Sequence, residues 1–111
     1  VTAYENNSFG FNYSHGQYGG NWTGYTRDGS TTNKVDLGVA VATGTVYLLR
    51  VELDKSNTEA RFYINDVYVG RSASNLPTSA AKKFSVGILK GVGTTSRTVQ
   101  VTGLNIQAVL P

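Results

Sequence analysis

The chain has 111 residues, with 13 glycines, one histidine and neither cysteine nor methionine, and this length suits one domain. The missing cysteines exclude disulfide scaffolds, thiol catalysis and cysteine-ligated metals, and a single histidine cannot build a multi-histidine site. The net charge of +3 comes from scattered basic residues, whereas a nucleic-acid surface usually shows a concentrated basic patch. We therefore expect no cofactor, no metal and no nucleic-acid partner.

The sequence contains no sign of a membrane segment or a secretion signal. No apolar run approaches the ~20 residues that a membrane helix needs, and no basic start is followed by a short apolar stretch. A soluble protein without membrane insertion is expected. Because the chain begins with Val1 rather than methionine, we expect it to be a processed or excised part of a longer polypeptide.

Short segments rich in valine, tyrosine, phenylalanine and threonine alternate with glycine, serine and asparagine, without helical periodicity. This pattern is typical of an all-β sandwich or barrel. Residues 1–111 show no internal repeat and no linker, so they are expected to form one module. The candidate strands, in chain order, are Phe9–Tyr13, Asn21–Arg27, Lys34–Val41, Val46–Asp54, Glu59–Ile64, Val67–Arg71, Lys82–Lys90 and Arg97–Leu110.

The loop after Asp54 predicts the register of the first central hairpin. If Asp54 pairs with Glu59 around the four loop residues, the apolar residues of both strands fall on one face and Glu52 faces Arg61 on the other. This register predicts the inner pairs Leu53–Ala60, Val51–Phe62 and Leu49–Ile64.

The turn Asn65-Asp66 predicts the next hairpin, because both residue types tolerate the positive φ of a type I′ turn. The predicted pairs are Ile64–Val67, Tyr63–Tyr68 and Phe62–Val69. Both hairpins place their apolar residues on the same face. A slip of one residue in either would invert every side chain, so the agreement of two independent loops favours this register.

Two further features are read from glycine positions. In the last predicted strand the apolar alternation changes phase at Gly103, which predicts a β-bulge there. The stretches Gly16–Gly20 and Gly91–Ser96 are expected to be loops, and the second lacks the helix and the Gly-Lys-Ser/Thr signature of a phosphate-binding loop.

Candidate catalytic groups are few. Adjacent residues on an extended chain point apart, so Ser14 and His15 are not expected to form a nucleophile–base pair, and His15 is interpreted as a loop residue. Glu52 and Asp54 share a strand face at a spacing that glycosidase carboxylates could use. Because Arg61 is predicted to lie opposite Glu52 and to favour its ionised form, we interpret these acids as a solvated strand face. No catalytic residue is assigned, and the chain is predicted not to be an enzyme.

Aromatic side chains supply the candidate ligand or interface residues. Phe9, Phe11 and Tyr13 share a strand face and are expected in the core, whereas Tyr18 and Trp22 flank a glycine-rich loop and are expected to be less buried. The second group lies on the outer face of the central strands and consists of Arg50, Tyr63 and Tyr68, with Arg61 and Glu52 beside it. Tyrosine next to arginine suits a protein interface, a plain solvated sheet or a platform for a sugar ring.

An ordered series of segments resembles the second half of concanavalin A-like (laminin G-like) jelly-roll domains, in particular those of structural proteins of tailed bacteriophages and prophages. The segments are Tyr47–Asp54, Ala60–Gly70, Asn75–Pro77 and Ile88–Arg97. The resemblance implies an antiparallel β-sandwich with jelly-roll connectivity. Only eight residues precede the strand at Phe9, so the chain is expected to lack N-terminal strands of the full domain. The acidic strand of glucanase relatives and the calcium loop of legume lectins are not evident.

The resemblance implies a non-catalytic module of a phage virion, located in a tail fibre or tailspike. Such a module would contact host surface glycans or pack as a homotrimer with its own copies and other virion proteins. One alternative is a capsid decoration or head-fibre protein that stabilises the shell. Another, from a different class, is a free carbohydrate-binding module of a glycan-degrading system.

Overall fold

The computed structural model describes residues 7–14, 18–42, 44–54, 56, 58–77 and 83–89. Within these ranges the chain forms strands and one short 3-10 turn at Tyr18–Gly20. The strands are β1 (Ser8–Ser14), β2 (Asn21–Asp28), β3 (Thr31–Ala40), β4 (Leu49–Leu53), β5 (Ala60–Ile64), β6 (Val67–Ser72) and β7 (Lys83–Leu89). The predicted all-β class is confirmed, and each of these strands overlaps a predicted one.

The strands form two sheets. One has the order β3-β2-β1-β7 and the other the order β4-β5-β6. Pairing is antiparallel except between β1 and β7, which run parallel with Ser8 opposite Lys83. The expectation of antiparallel pairing alone is therefore corrected at this edge. A parallel pair needs a long crossover, and here the rest of both sheets lies between the two strands in the sequence.

The β4–β5 hairpin has the predicted register. Leu49, Val51 and Leu53 lie opposite Ile64, Phe62 and Ala60, and Glu52 lies opposite Arg61. At the closed end, the Asp54 amide donates to the Glu59 carbonyl at 3.1 Å. The predicted pairing of Asp54 with Glu59 is thus confirmed.

The β5–β6 hairpin follows the predicted register only near its turn. Ile64 pairs with Val67 and Tyr63 with Tyr68, and Asn65 and Asp66 adopt the positive φ values of 53° and 65° that a type I′ turn requires. Phe62 pairs with Gly70, however, and not with Val69 as predicted. The extra residue in β6 is a β-bulge, and it reverses the facing of every later residue in the strand.

The two sheets pack face to face around an apolar core. The buried side chains come from both sheets and from the segment after β6, and are Phe11, Trp22, Leu37, Ala60, Phe62, Ile64 and Leu76. The rings of Phe11 and Phe62 meet across the sheets edge to face, with centroids 5.5 Å apart. Gly24 of β2 leaves room for the Phe62 ring, since a Cβ at that position would lie 2.8 Å from it.

A buried polar cluster also joins the sheets. The hydroxyls of Thr26 in β2 and Ser72 in β6 lie 2.6 Å apart. The Thr26 hydroxyl donates to the Ser74 carbonyl at 2.7 Å, and the Asn33 amide of β3 donates to the Ser72 hydroxyl at 2.7 Å. Ser72 can reach this cluster because the bulge turns it inward.

Some sequence predictions fall outside the described residues, namely His15, the loop Gly91–Ser96, the strand Arg97–Leu110 and the bulge at Gly103. In the part of the chain that the structure describes, no helix has the length and apolarity needed to cross a membrane.

Candidate binding surface

One rung of side chains crosses the outer face of the three-stranded sheet. Arg50 of β4, Tyr63 of β5 and Tyr68 of β6 lie opposite one another in successive strands. We call these three residues the outer ladder. The Arg50 guanidinium carbon lies 4.0 Å from the centroid of the Tyr63 ring, and the two tyrosine rings meet at a centroid distance of 5.7 Å. The predicted juxtaposition of these three side chains is confirmed.

The two tyrosines of the outer ladder differ in what they offer a ligand. Tyr63 is engaged on one face by Arg50, and a hydrogen bond to Glu52 raises the pKa of its hydroxyl, with burial as a smaller cause. Tyr68 is 51 % exposed. Because the rings are inclined by 63°, they do not form one flat platform, and Tyr68 is the more exposed of the two.

A second rung lies one step along the sheet and contains Glu52, Arg61 and Arg71. The ion pairs here do not follow the predicted cross-strand pairing of Glu52 with Arg61. Glu52 instead binds Arg50, its neighbour on β4, at 2.6 Å. Arg61 binds Glu59, the residue that directly precedes β5, with its Nε 2.7 Å from Glu59 Oε1. Arg50 and Arg61 thus each bind an acid two residues away in the sequence.

Glu59 joins Arg61 to a residue that the sequence reasoning did not single out. Arg71 Nη1 lies 3.1 Å from Glu59 Oε2, so one carboxylate holds two guanidinium groups. We call Arg61, Glu59 and Arg71 the arginine clamp. Hydrogen bonds from Arg71 and then Arg61 lower the pKa of Glu59, and the same contact with Glu59 raises the pKa of Arg61. Both shifts favour the ionised forms of Glu59 and Arg61.

The other two predicted site residues lie apart from this surface. Trp22 is only 6 % exposed, and its ring packs edge to face against Phe11 and Tyr47 at 6.3 and 5.5 Å. The expectation that Trp22 is less buried is corrected, because β2 turns this ring between the sheets. Tyr18 is 37 % exposed and lies in the turn that precedes β2, in the other sheet.

A family model supplies the comparison with known proteins. It describes the SO2946-like, C-terminal domain, and it matches residues 1–102 of this chain. The chain belongs to this family. No curated protein and no solved structure matches it.

Two further acids, Asp54 and Asp66, lie next to the strands of the three-stranded sheet, and both have structural partners. Asp54 accepts hydrogen bonds from the hydroxyl and amide of Thr58 and from the amide of Glu59, and these bonds lower its pKa, that from the Thr58 side chain most strongly. Asp66 lies 3.9 Å from Arg50. Among the described residues no three histidine, aspartate or glutamate side chains gather as a metal site would require.

Proposed function

We propose that this chain is a non-catalytic binding domain that contacts a saccharide through the outer face of its three-stranded sheet. The half-exposed ring of Tyr68 carries the proposal, since it contacts the Tyr63 ring on which the Arg50 guanidinium lies. A tyrosine ring offers an apolar face to the C–H side of a sugar, and the charged groups around it can bind hydroxyls.

The partners of the acids support a non-catalytic role. A general acid needs a raised pKa, whereas the pKa values of Asp54 and Glu59 are lowered by their hydrogen bonds. Glu52 is engaged by Arg50. Each acid of this face is therefore arranged as a structural or positioning group.

The proposed setting comes from the resemblance to jelly-roll domains of phage structural proteins. In that setting the domain is a jelly-roll module of a tail fibre or tailspike, and its ligand is a host surface glycan. The description of the family as a C-terminal domain is consistent with a longer polypeptide that carries the module.

A second candidate function is packing against copies of the same chain, and exposed apolar side chains favour it. Val46, Leu48 and Val67 are 81 %, 56 % and 61 % exposed, and Leu48 is tied by two hydrogen bonds to Asn65 in the turn that precedes Val67. Apolar side chains beside tyrosine and arginine are common at the core of protein interfaces.

Variants of exposed tyrosines test the saccharide proposal. Tyr68→Ala should weaken retention on an array of bacterial surface glycans by about tenfold, the effect typical of an exposed aromatic anchor. Tyr18→Ala is the matched control, because it removes an exposed tyrosine from the turn that precedes β2, a strand of the other sheet. Equal loss in both variants, or no loss in Tyr68→Ala, would contradict the proposed surface.

Sedimentation measurements test the self-association candidate and the capsid decoration alternative. A trimer that Leu48→Ser converts to a monomer would support self-association through the apolar side chains. A clean monomer at high concentration would contradict it. Stable co-sedimentation with emptied phage capsids, without glycan retention, would support the capsid decoration alternative.

A further inference from the structure

The arginine clamp has more positive than negative charge. Arg61 and Arg71 are directly opposite each other in β5 and β6, a placement in which like charges destabilise a sheet. A single carboxylate, that of Glu59, lies between them. Glu59 thus neutralises half of the positive charge of these two guanidinium groups.

The clamp exposes its cations and covers its anion. The side chains of Arg61 and Arg71 are 49 % and 60 % exposed, whereas that of Glu59 is 16 % exposed. A guanidinium has five N–H donors, and only part of this set is directed at Glu59. In the described part of the structure, the solvent-exposed side of the clamp is therefore rich in N–H donors, and the mostly buried Glu59 carboxylate fixes the two guanidinium groups.

The nearby acids neutralise a different arginine. Glu52 lies opposite Arg61 in the neighbouring strand, but its carboxylate binds Arg50 at 2.6 Å, and Asp66 lies 3.9 Å from the same arginine. The face consequently has two chemical regions: Arg50 is accompanied by two acids, whereas the clamp has two cations and one anion. Successive residues on one face of a strand are about 7 Å apart, so the clamp lies about that far from the Tyr68 ring along the sheet.

We propose that the arginine clamp binds an anionic group, a carboxylate or a phosphate, carried by the saccharide whose ring stacks on Tyr68. This inference rests on the proposed function and names the class of sugar it selects. Arginine forks match the geometry of carboxylate and phosphate oxygens, and a spacing of about 7 Å suits a charged substituent on the stacked ring or on its neighbour.

Matched sugar pairs test the charge requirement. The first pair is oligogalacturonate and its fully methyl-esterified form, and the second is a phosphorylated lipooligosaccharide core before and after dephosphorylation. The full chain should bind at least one acidic member about tenfold more tightly than its neutral partner. This difference is the one expected from one exposed charge-assisted hydrogen-bond pair. The pair that shows the difference distinguishes a carboxylate from a phosphate.

Variants locate the effect on the clamp. Arg71→Gln should reduce affinity for the acidic member about tenfold and reduce affinity for the neutral member much less, whereas Arg71→Lys should lose less affinity for the acidic member because it keeps the charge. Lys34→Gln is the charge-matched control, since it removes a positive charge from β3 in the other sheet. Equal losses in Arg71→Gln and Lys34→Gln would overturn the inference.

The remaining outcomes separate the clamp from the proposed function. Equal binding of acidic and neutral members, with loss only in Tyr68→Ala, would overturn the clamp and leave the saccharide surface standing. If the chain binds none of the four sugars, both the clamp and the proposed saccharide surface are overturned. Equally tight binding of inorganic polyphosphate that is insensitive to Tyr68→Ala would show a general polyanion surface and would also overturn the inference.

Discussion

The close approach of Gly24 to Phe62 allows a quantitative test of the packing between the sheets. In Gly24→Ala, the new Cβ would lie 2.8 Å from two ring carbons of Phe62 and 2.9 Å from a third. Carbon atoms pack best at about 3.5–4.0 Å, so the ring or the sheet must move by about 0.7 Å. The Phe62 ring is fully buried and also packs against the Phe11 ring, with the two ring centroids 5.5 Å apart.

The expected cost follows from these distances. Overpacking of a rigid core site costs about 1–3 kcal/mol, and the upper end applies here because the neighbour is a buried ring rather than the tip of a flexible chain. Replacing a strand glycine with alanine recovers about 0.5–1 kcal/mol. The net loss should be about 2 kcal/mol, or about 8 °C in Tm for a domain of this size.

Thermal and urea unfolding of the full chain measure this loss, and two further variants assign its cause. In Gly70→Ala the nearest atom is the end of the Leu37 side chain, at 3.0 Å, so the loss should be smaller. In a Phe62→Leu background, Gly24→Ala should cost less than about 1 kcal/mol, because the two sites are coupled. An unchanged or raised Tm in Gly24→Ala alone would refute this account of the packing.

Two further variants test the polar cluster and the hairpin turn. Ser72→Ala removes the hydroxyl shared by Thr26 and Asn33. It should lower the free energy of unfolding by about 1–2 kcal/mol, because the Asn33 amide loses its acceptor and Thr26 keeps only the Ser74 carbonyl. A loss below about 0.5 kcal/mol in urea unfolding would contradict this expectation. Asp66→Gly should raise stability by about 0.5–1 kcal/mol, because φ at this residue is 65° and glycine adopts that conformation without strain. The weak contact of Asp66 with Arg50 at 3.9 Å offsets little of this gain, and a lowered Tm would show that the side chain matters more than the backbone.

The register of the central hairpin could be predicted because local chemistry specifies it. Turn length, the alternation of Leu49, Val51 and Leu53, and the acidic residues at the loop all require the same pairing. The outer ladder followed directly from that register, including the contact of Arg50 with Tyr63. Turn length and apolar alternation were sufficient to predict the register next to a short turn that joins neighbouring strands.

The bulge at Val69 and the role of Arg71 were not predicted. Val67, Tyr68 and Val69 alternate regularly, so nothing before Gly70 indicates an extra residue. The signal lies afterwards, because an unbroken register would place Arg71 on the buried face. A charged residue on the apolar parity of a strand, next to glycine, therefore indicates a bulge.

Long-range placement accounts for the other differences. The burial of Trp22 depends on Tyr47, which is distant in the sequence, and the pairing of β1 with β7 joins the two ends of the described strand order. Neither partner can be identified from turn chemistry or alternation, since no short loop links them. Contacts of this kind depend on the complete packing of the two sheets.

The parallel pairing of β1 with β7 also affects how the chain reaches its folded state. The β4–β5–β6 unit contains only neighbouring hairpins and can form early, whereas the other sheet needs its first and last described strands together. Such non-local pairing slows folding, because loop-closure entropy is lost before the contacts form. During synthesis, β1 would leave the ribosome with one edge unpaired until residues 83–89 emerge, and in that interval chaperone binding or a neighbouring nascent chain would compete for the exposed edge.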